Sequence, residues 1–491
     1  MASPQLDVYL PPSMAYFTKR LASGMTLNTI KVTNLSNTTA VCGDTLRVRL
    51  PNNAIIDMSS FTMYALATTT GNYTALPKLT QSLITQVRVN INGQTICGGS
   101  LNDYGVLYNI GQRCQQDYSK TKMLELIHCG LDVATPAANT AKYIAIDDWF
   151  GFLGALPHFI HTGMLGEFII EIVLASNIVL PASAAAVASV LTLSNIYFTI
   201  QQLQFDSDIY SKMIETRLLS GDTLEIAYND AYSFLKPSST TIEAQVSARA
   251  ITKVFVVPRV NNAVGSTARQ YTITNTPVLG VGQNNLFDIG EAAHDATEAT
   301  ISTACIAAFQ EPTKTMQWSV DNRLIPTNPA TLPECYQMLC DCFGDRASTM
   351  QSHSILQQPY ELLPWTTVLP IAAGKSVITA DTASIGATSY TTGAAMTLAL
   401  PTDTYIVRKI APEYLYLRKN AIFALNLELN ESGDQRLVSG FDSIGKNCVI
   451  RCDLSKICAG TLGANKVDLL MFVLVKKVLK IRAGQQIMVD I

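Results

Sequence analysis

The sequence predicts an all-β protein made of two tandem antiparallel domains, with a few short helices in the loops. Three observations carry this. Segments recur in order along the chain, each pair expected on equivalent strands of the two domains: Gly43 to Leu50 returns as Gly221 to Tyr228, Ile91-Asn92-Gly93-Gln94-Thr95-Ile96 as Val320-Asp321-Asn322-Arg323-Leu324-Ile325, and Ile196 to Leu203 as Leu470 to Lys477. The separation widens from each match to the next, as expected of a duplicated domain whose second copy gained insertions. Apolar residues alternate with polar ones at a period of two through most of the chain, the pattern of half-buried strands. Finally, 491 residues are too many for one hydrophobic core and suit two.

Each element follows from its local pattern. The first 25 residues carry only Asp7, Lys19 and Arg20 as charges, with Tyr9, Pro11, Pro12, Tyr16 and Phe17 among them. They read as an extended N-terminal arm (1–25) that docks in an apolar groove. Leu46, Val48 and Leu50 then alternate with Arg47 and Arg49, and Phe61, Met63 and Ala65 share a face. Val87, Val89 and Ile91 alternate with Arg88 and Asn90, and Asn92-Gly93 supplies the two positive-φ residues of a tight hairpin turn. Tyr104, Leu107, Tyr108 and Ile110 fall at helical spacing between Leu101 and Gly111. Phe168, Ile170, Ile172 and Leu174 form one strand face, and Ile196, Phe198 and Ile200 another. Charge returns between Asp206 and Asp222, which places the first domain at 26–210 and the second at 211–491. In the second half, Thr331-Leu-Pro-Glu334 is a capping box with an early proline. Tyr336, Leu339, Cys340 and Phe343 follow at i, i+3, i+4 and i+7, and Gly344 ends the helix. The widening separations put extra residues near 261–308 and 345–402, both rich in small residues and poor in charge.

Composition excludes several classes. Charged residues make up only 15% of the chain against 48% hydrophobic, which suits a surface largely covered by neighbours. A net charge of −3 advertises no nucleic-acid footprint. Met1 to Leu10 lacks a signal peptide's basic and apolar regions, and Ala2 stands where N-myristoylation needs glycine. Ile172 to Phe205 carries no charge, yet Asn177 and Pro181 interrupt it and both flanks alternate, so it reads as strands around a small-residue loop rather than a membrane span. The eleven cysteines form no C-x-x-C pair. Cys335, Cys340 and Cys342 lie on the expected helix, and Cys448, Cys452 and Cys458 around a strand and turn. All read as buried reduced thiols from a reducing compartment.

Val89-Asn-Ile-Asn-Gly-Gln-Thr-Ile96 followed by an aromatic helix resembles the strand–turn–helix signature of double jelly-roll major capsid proteins. So does Gly154-Ala-Leu-Pro157 leading to the strand Glu167 to Leu174. Gln317-Trp-Ser-Val-Asp-Asn-Arg-Leu-Ile-Pro326, with Tyr336 on the next helix, looks like the matching element of a second jelly roll. The resemblance runs from about Gly43 to the end, and is nearest to polinton-like viruses and virophages within the adenovirus, tailless-phage and giant-virus capsid lineage. It implies two tandem eight-stranded antiparallel jelly rolls. It further implies a homotrimer forming a pseudo-hexagonal capsomer, which tiles an icosahedral shell around a double-stranded DNA genome. Neighbouring capsomers, penton and minor capsid proteins would be its partners and the virion its location, and this chain would span no internal membrane. It implies no enzyme activity, catalytic residue, cofactor or metal. The weakly charged N-terminal arm adds that the chain does not bind nucleic acid directly, because phosphate neutralisation needs clustered Lys and Arg.

Rival chemistry has few residues to use. His158-Phe-Ile-His161 with Glu167 is the best metal candidate, but a spacing of three puts the two histidines on opposite faces of a strand. Glu167 and Glu171 share one strand face as a glycosidase pair would, yet their alternation partners are apolar, so they read as a solvent face. The alternative function is a carbohydrate-binding or glycan-processing protein of two β-sandwiches. It would want aromatic-rich loops, and the long loops offer few aromatics beyond Tyr271, Phe287 and Tyr390. Sequons at Asn34, Asn37, Asn72 and Asn430 read as unused without a secretory signal.

Overall fold

A computed structural model describes residues 25–35, 38–41, 43–70, 80–115, 141–147, 149–155, 159–175, 190–205, 220–221, 223–260, 305–343, 360–364, 369–371, 376–380, 387–391, 396–398, 405–409, 416–417, 421–428, 440–458, 467–482 and 486–490, with 212, 216 and 413 singly. Its first half contains β1 (Met25–Thr33), β2 (Ala40–Val41), β3 (Thr45–Arg49), β4 (Ile55–Thr70), β5 (Ile84–Ile91), β6 (Gln94–Cys97), helix α1 (Tyr104–Gln115), β7 (Ala141–Ile146), β8 (Phe159–His161), β9 (Phe168–Leu174) and β10 (Val190–Phe205). One sheet runs β1-β10-β4-β7, with β2 added on β10 and β8 on β4. The facing sheet runs β3-β9-β5-β6.

The second half begins with β11 (Leu224–Lys236), β12 (Thr241–Gln245), β13 (Ile251–Val260), β14 (Thr315–Val320), β15 (Arg323–Thr331) and helix α2 (Leu332–Cys342). Short strands follow: β16 (Tyr360–Pro364), β17 (Leu369–Ile371), β18 (Ser376–Ala380), β19 (Ala387–Thr391), β20 (Met396–Leu398) and β21 (Tyr405–Lys409). They pair β16 with β21, β17 with β20 and β18 with β19. The predicted extra segment at 345–402 therefore builds strands of its own, whereas 261–304 lies outside the described residues. The half ends with β22 (Phe423–Asn426), β23 (Val449–Asp453), β24 (Val467–Arg482) and β25 (Gln486–Asp490). Its sheets run β11-β24-β13-β22, with β25 on β24, and β12-β23-β14-β15.

When the eight principal strands of each half are numbered in chain order, both halves read 1-8-3-6 in one sheet and 2-7-4-5 in the other. This is the double Greek key of a jelly roll, made twice. No described sheet mixes strands from the two halves. The repeat is confirmed at the hairpin: Asn92 and Gly93 (φ 49° and 78°) and Asp321 and Asn322 (φ 51° and 62°) make the same two-residue turn between strands 4 and 5. The match of Ile196–Leu203 with Leu470–Lys477 also falls on equivalent strands, β10 and β24.

One expected equivalence is overturned. Thr45-Leu46 opens β3, the second strand of its sandwich, whereas Leu224 opens β11, the first strand of the other. The shared Gly-Asp-Thr-Leu records only local chemistry: Gly43 and Gly221 both hold positive φ (92° and 90°) in the turn that enters a strand. The true counterpart of β3 is β12, and that of β11 is β1.

Alternation built the cores as expected. In β9 the buried face is Phe168, Ile170, Ile172 and Leu174, and in β10 it includes Ile196, Phe198 and Ile200. Phe61 stacks on Phe198 (centroids 5.4 Å apart) and meets Trp149, whose Nε1–H donates to the Phe61 carbonyl at 2.8 Å. The charge-free run is two strands, β9 and β10, with 176–189 outside the described residues. Among the described residues no helix is long and apolar enough to cross a membrane. β24 departs from simple alternation, because Leu469 to Val473 are buried on both faces.

Helix α2 starts at the predicted capping box. The Glu334 carboxylate accepts the Thr331 backbone N–H (2.7 Å) and its Oγ1–H (2.8 Å). The buried stripe is Leu332, Cys335, Leu339 and Cys342, with Tyr336 and Phe343 half-buried beside it. Of the expected stripe, Leu339 is buried and Tyr336 and Phe343 pack beside it, while Cys335 and Cys342 rather than Cys340 complete the buried face. These bonds, the backbone one first, hold the Glu334 carboxyl below the usual glutamate range. Its charge therefore stabilises the helix start above the unfolded pKa, and that support is lost as pH falls through the lower folded value. Thr331→Ala should cost about 1 kcal/mol. In thermal melts, Glu334→Gln should be less stable than the parent at neutral pH, with the gap closing in acid.

Candidate functional site: the junction of the two sandwiches

The densest polar arrangement among the described residues lies where the sandwiches meet. The chain leaving β6, at Ile96 to Asn102, runs against the middle of β11. The Tyr228 hydroxyl donates to the Ile96 carbonyl at 2.9 Å. Asp230 Oδ1 accepts the Gly98 N–H at 3.1 Å and the Cys97 thiol at 3.4 Å. The Ser233 N–H donates to the Ser100 carbonyl at 3.1 Å, and the Asn102 N–H to Ser233 Oγ at 2.9 Å. Tyr228 also meets Phe152 edge-on, with ring centroids 5.2 Å apart.

A buried ion pair anchors this seam. Lys477 on β24 donates to Asp230 Oδ2 at 2.7 Å, and the two side chains are 9% and 6% exposed. Lys477 lies opposite Tyr228 in the strand register, so one strand step brings its ammonium over Asp230. It also sits 5.1 Å from the Tyr232 ring centroid. Burial pulls the Lys477 pKa down, but Asp230 outweighs it, aided by Tyr232, and the lysine is held above its ordinary pKa. Burial first, then Asp230, pushes the Cys97 thiol well up, so it is an inert donor.

Two glycines let the backbones close. Gly98 (φ 77°) leaves no room for a side chain, since a Cβ would lie 1.7 Å from the Val87 carbonyl oxygen. At Gly151 (φ 96°) a Cβ would press to 2.7 Å from Cys97 Sγ. Sequence reasoning noted none of Asp230, Ser233 or Gly98 as functional, and met Lys477 only as the end of a repeat. The available signal was an acid at an interior strand position and a Lys-Lys step directly after the apolar run Leu469 to Val475 of β24.

The candidates singled out for chemistry do not converge. His158 lies outside the described residues. His161 is buried at the end of β8, in register with Ile55. Glu167 is exposed and pairs with Arg49 at 3.5 Å. Glu171 lies between Arg47 (2.9 Å) and Arg88 (3.8 Å), so both carboxylates are cross-strand ion-pair partners. No group of three His, Cys, Asp or Glu among the described residues is placed to hold a metal. Cys335, Cys452 and Cys458 lie within mutual influence in the second core, and burial pushes Cys335 and Cys458 up to about 12. The assembled geometry is therefore that of a joint.

Solved virus capsids share this architecture from end to end. The PBCV-1 virus capsid superposes with a TM-score of 0.54 at 11% identity, over 96% of this chain and 98% of that one. PBCV-1 VP54, as fitted into a reconstruction of the virophage Sputnik, gives 0.51 at 12% identity, with 96% and 98% covered. The Sputnik virophage structure gives 0.51 at 11% identity, with 100% and 92% covered. The chain is a double jelly roll. No protein-family model matches its sequence, and neither does any curated protein.

In this double jelly roll the buried Asp230–Lys477 pair of the second sandwich also holds the Gly98 N–H and Cys97 thiol of the first, so its loss has a defined cost. Asp230→Ala strands the Lys477 ammonium, the Cys97 thiol and the Gly98 and Ala231 N–H groups, and should destabilise the protein by about 3–5 kcal/mol in denaturant titrations. Adding Lys477→Met to it should recover part of that loss, because the uncompensated charge is removed.

Proposed function

We propose that this chain is a major capsid protein, a structural subunit without enzymatic activity. The observation that carries the reading is the strand order 1-8-3-6 and 2-7-4-5 repeated in both halves, together with end-to-end superposition on viral capsid structures. The subunit assembles as a homotrimer. Three chains supply six similar sandwiches, which approximate a hexagon and tile an icosahedral shell around double-stranded DNA. Heterologous contacts between the first sandwich of one chain and the second of the next close such a ring. Capsomers then meet one another, penton and minor capsid proteins in the virion.

The domain division that goes with this reading is an arm at 1–25, a first jelly roll at 26–210 and a second at 211–491. The charge pattern supports a shell role without genome contact. The chain carries 35 basic and 38 acidic side chains and no basic arm. Its described ion pairs, such as Arg47–Glu171 and Arg451–Glu243, satisfy charges within a sheet face rather than leaving a basic patch.

Light scattering of the purified protein should give three times the chain mass, and negative-stain images should show pseudo-hexagonal particles. A monomer at micromolar concentration would overturn the capsomer reading. Duplex DNA at about 150 mM salt should bind no tighter than non-specific contacts allow. Micromolar affinity with a steep salt slope would assign the chain a packaging role instead.

A further inference from the structure

Asp230 and Lys477 are placed as two reactants would be. Their contact joins β11 and β24, the first and last principal strands of the second sandwich, across 247 positions of chain. The Lys477 ammonium donates to Asp230 Oδ2 at 2.7 Å, so the carboxyl carbon lies one C–O bond beyond the atom it already touches. The other carboxylate oxygen is held by a separate set of donors. Asp230 Oδ1 accepts the Ala231 N–H at 2.9 Å, the Gly98 N–H at 3.1 Å and the Cys97 thiol at 3.4 Å. Two backbone donors and a thiol on one oxygen stabilise negative charge that develops there when the carboxyl carbon is attacked.

The setting favours condensation of the pair. The two side chains are only 9% and 6% exposed. Keeping opposite charges in such a place costs solvation on both, and a neutral amide would not. Exclusion of water also opposes the reverse reaction, and the fixed contact gives the high effective concentration of an intramolecular step. Among the described residues, Lys476–Glu428, Lys480–Glu225 and Lys480–Asp490 also join a lysine to a carboxylate, but each of those lysines is 28% exposed. Water competes at all three.

We propose that Lys477 and Asp230 condense to an isopeptide bond between Nζ and Cγ, releasing one water and stapling β11 to β24. The step balances without a co-reactant. The ammonium passes a proton to Oδ2 along their hydrogen bond, which leaves an amine and a carboxylic acid. The Nζ lone pair attacks Cγ, and the carbonyl electron pair moves onto Oδ1 among its three donors. When that pair returns, the Cγ–Oδ2 bond breaks, and Oδ2 leaves as water with its own proton and one from the nitrogen. The ion pair holds the lysine above its ordinary pKa, so the neutral reactants are a minority and the bond forms slowly after folding. Oδ1 becomes the amide carbonyl. The Gly98 and Ala231 N–H groups therefore keep their acceptor, and the junction with the first sandwich survives the reaction.

The test is the mass of the full-length folded protein. After prolonged incubation near neutral pH, its intact mass should lie about 18 Da, one water, below that of the sequence. Tryptic digestion and tandem mass spectrometry should then show a branched peptide that joins Asp230 to Lys477. Lys477→Arg keeps the cation but cannot form this amide, and it should retain its full sequence mass. On boiled, reduced gels the parent should run ahead of that variant, because the bond closes a long loop in the unfolded chain. The parent measurement decides by itself and does not depend on any variant folding. A parent with the circular dichroism of a folded β protein and its full sequence mass overturns the proposal. Loss of water without the branched peptide overturns it too, since cyclisation of another side chain would give the same mass.

Discussion

Asp230 holds together structure that the two jelly rolls would otherwise keep separate. Its carboxylate is shared between Lys477 from the last long strand of the second sandwich and the Gly98 N–H and Cys97 thiol from the first. In a buried setting neither charge survives alone, and a bare carboxylate there would cost several kcal/mol. The pairing therefore constrains geometry more than it adds net stability. Only one approach of the Ile96–Asn102 segment to β11 satisfies the carboxylate, the ammonium and the backbone donors together. A purely apolar seam would tolerate sliding, whereas directed bonds at about 3 Å do not.

That constraint explains the small residues around it. Gly98 and Gly151 let two backbones and a thiol crowd into the space beside Asp230. Tyr228 then fills the remaining volume with its ring against Phe152 and its hydroxyl on the Ile96 carbonyl. Away from the seam the chemistry is more ordinary. On the outer face of the β3-β9-β5 sheet, Glu171 bridges two arginines from the flanking strands. Such half-exposed pairs contribute little each, yet they keep an edge strand in register and leave few charges free.

Duplication gave two copies of one topology, and burial then separated their uses. Strand 1 of the second sandwich is covered within the chain, and strand 1 of the first is not. β24 is buried on both faces from Leu469 to Val473, while Tyr197, Thr199 and Gln201 on its counterpart β10 remain half-exposed. The same topology thus holds a more buried β24 in one sandwich and a more open β10 in the other.

The amino-acid sequence by itself determined the class and most of the parts. Alternation marked the strands of the first sandwich because they have one wet and one dry face, whereas β24 of the second is buried on both faces from Leu469 to Val473 and shows no such pattern. The two-residue turns at Asn92-Gly93 and Asp321-Asn322 were legible because positive φ restricts residue type. The capping box at Thr331 was legible because its partners are three residues apart. Where sequence reading failed, the deciding contact was long-range. Gly43 to Leu50 and Gly221 to Tyr228 looked like one repeated strand, but strand order is set by which partner completes the sheet, and a short local match contains nothing about that. On α2, Leu339 was legible from its spacing, but packing against the second core chose Cys335 and Cys342 over Cys340 for the buried face. Asp230 and Lys477 are 247 positions apart, so no local pattern announces their pairing. Only the closed tertiary structure, by bringing β24 back beside β11 and the first sandwich onto both, decided that these charges would meet and where the two jelly rolls would join.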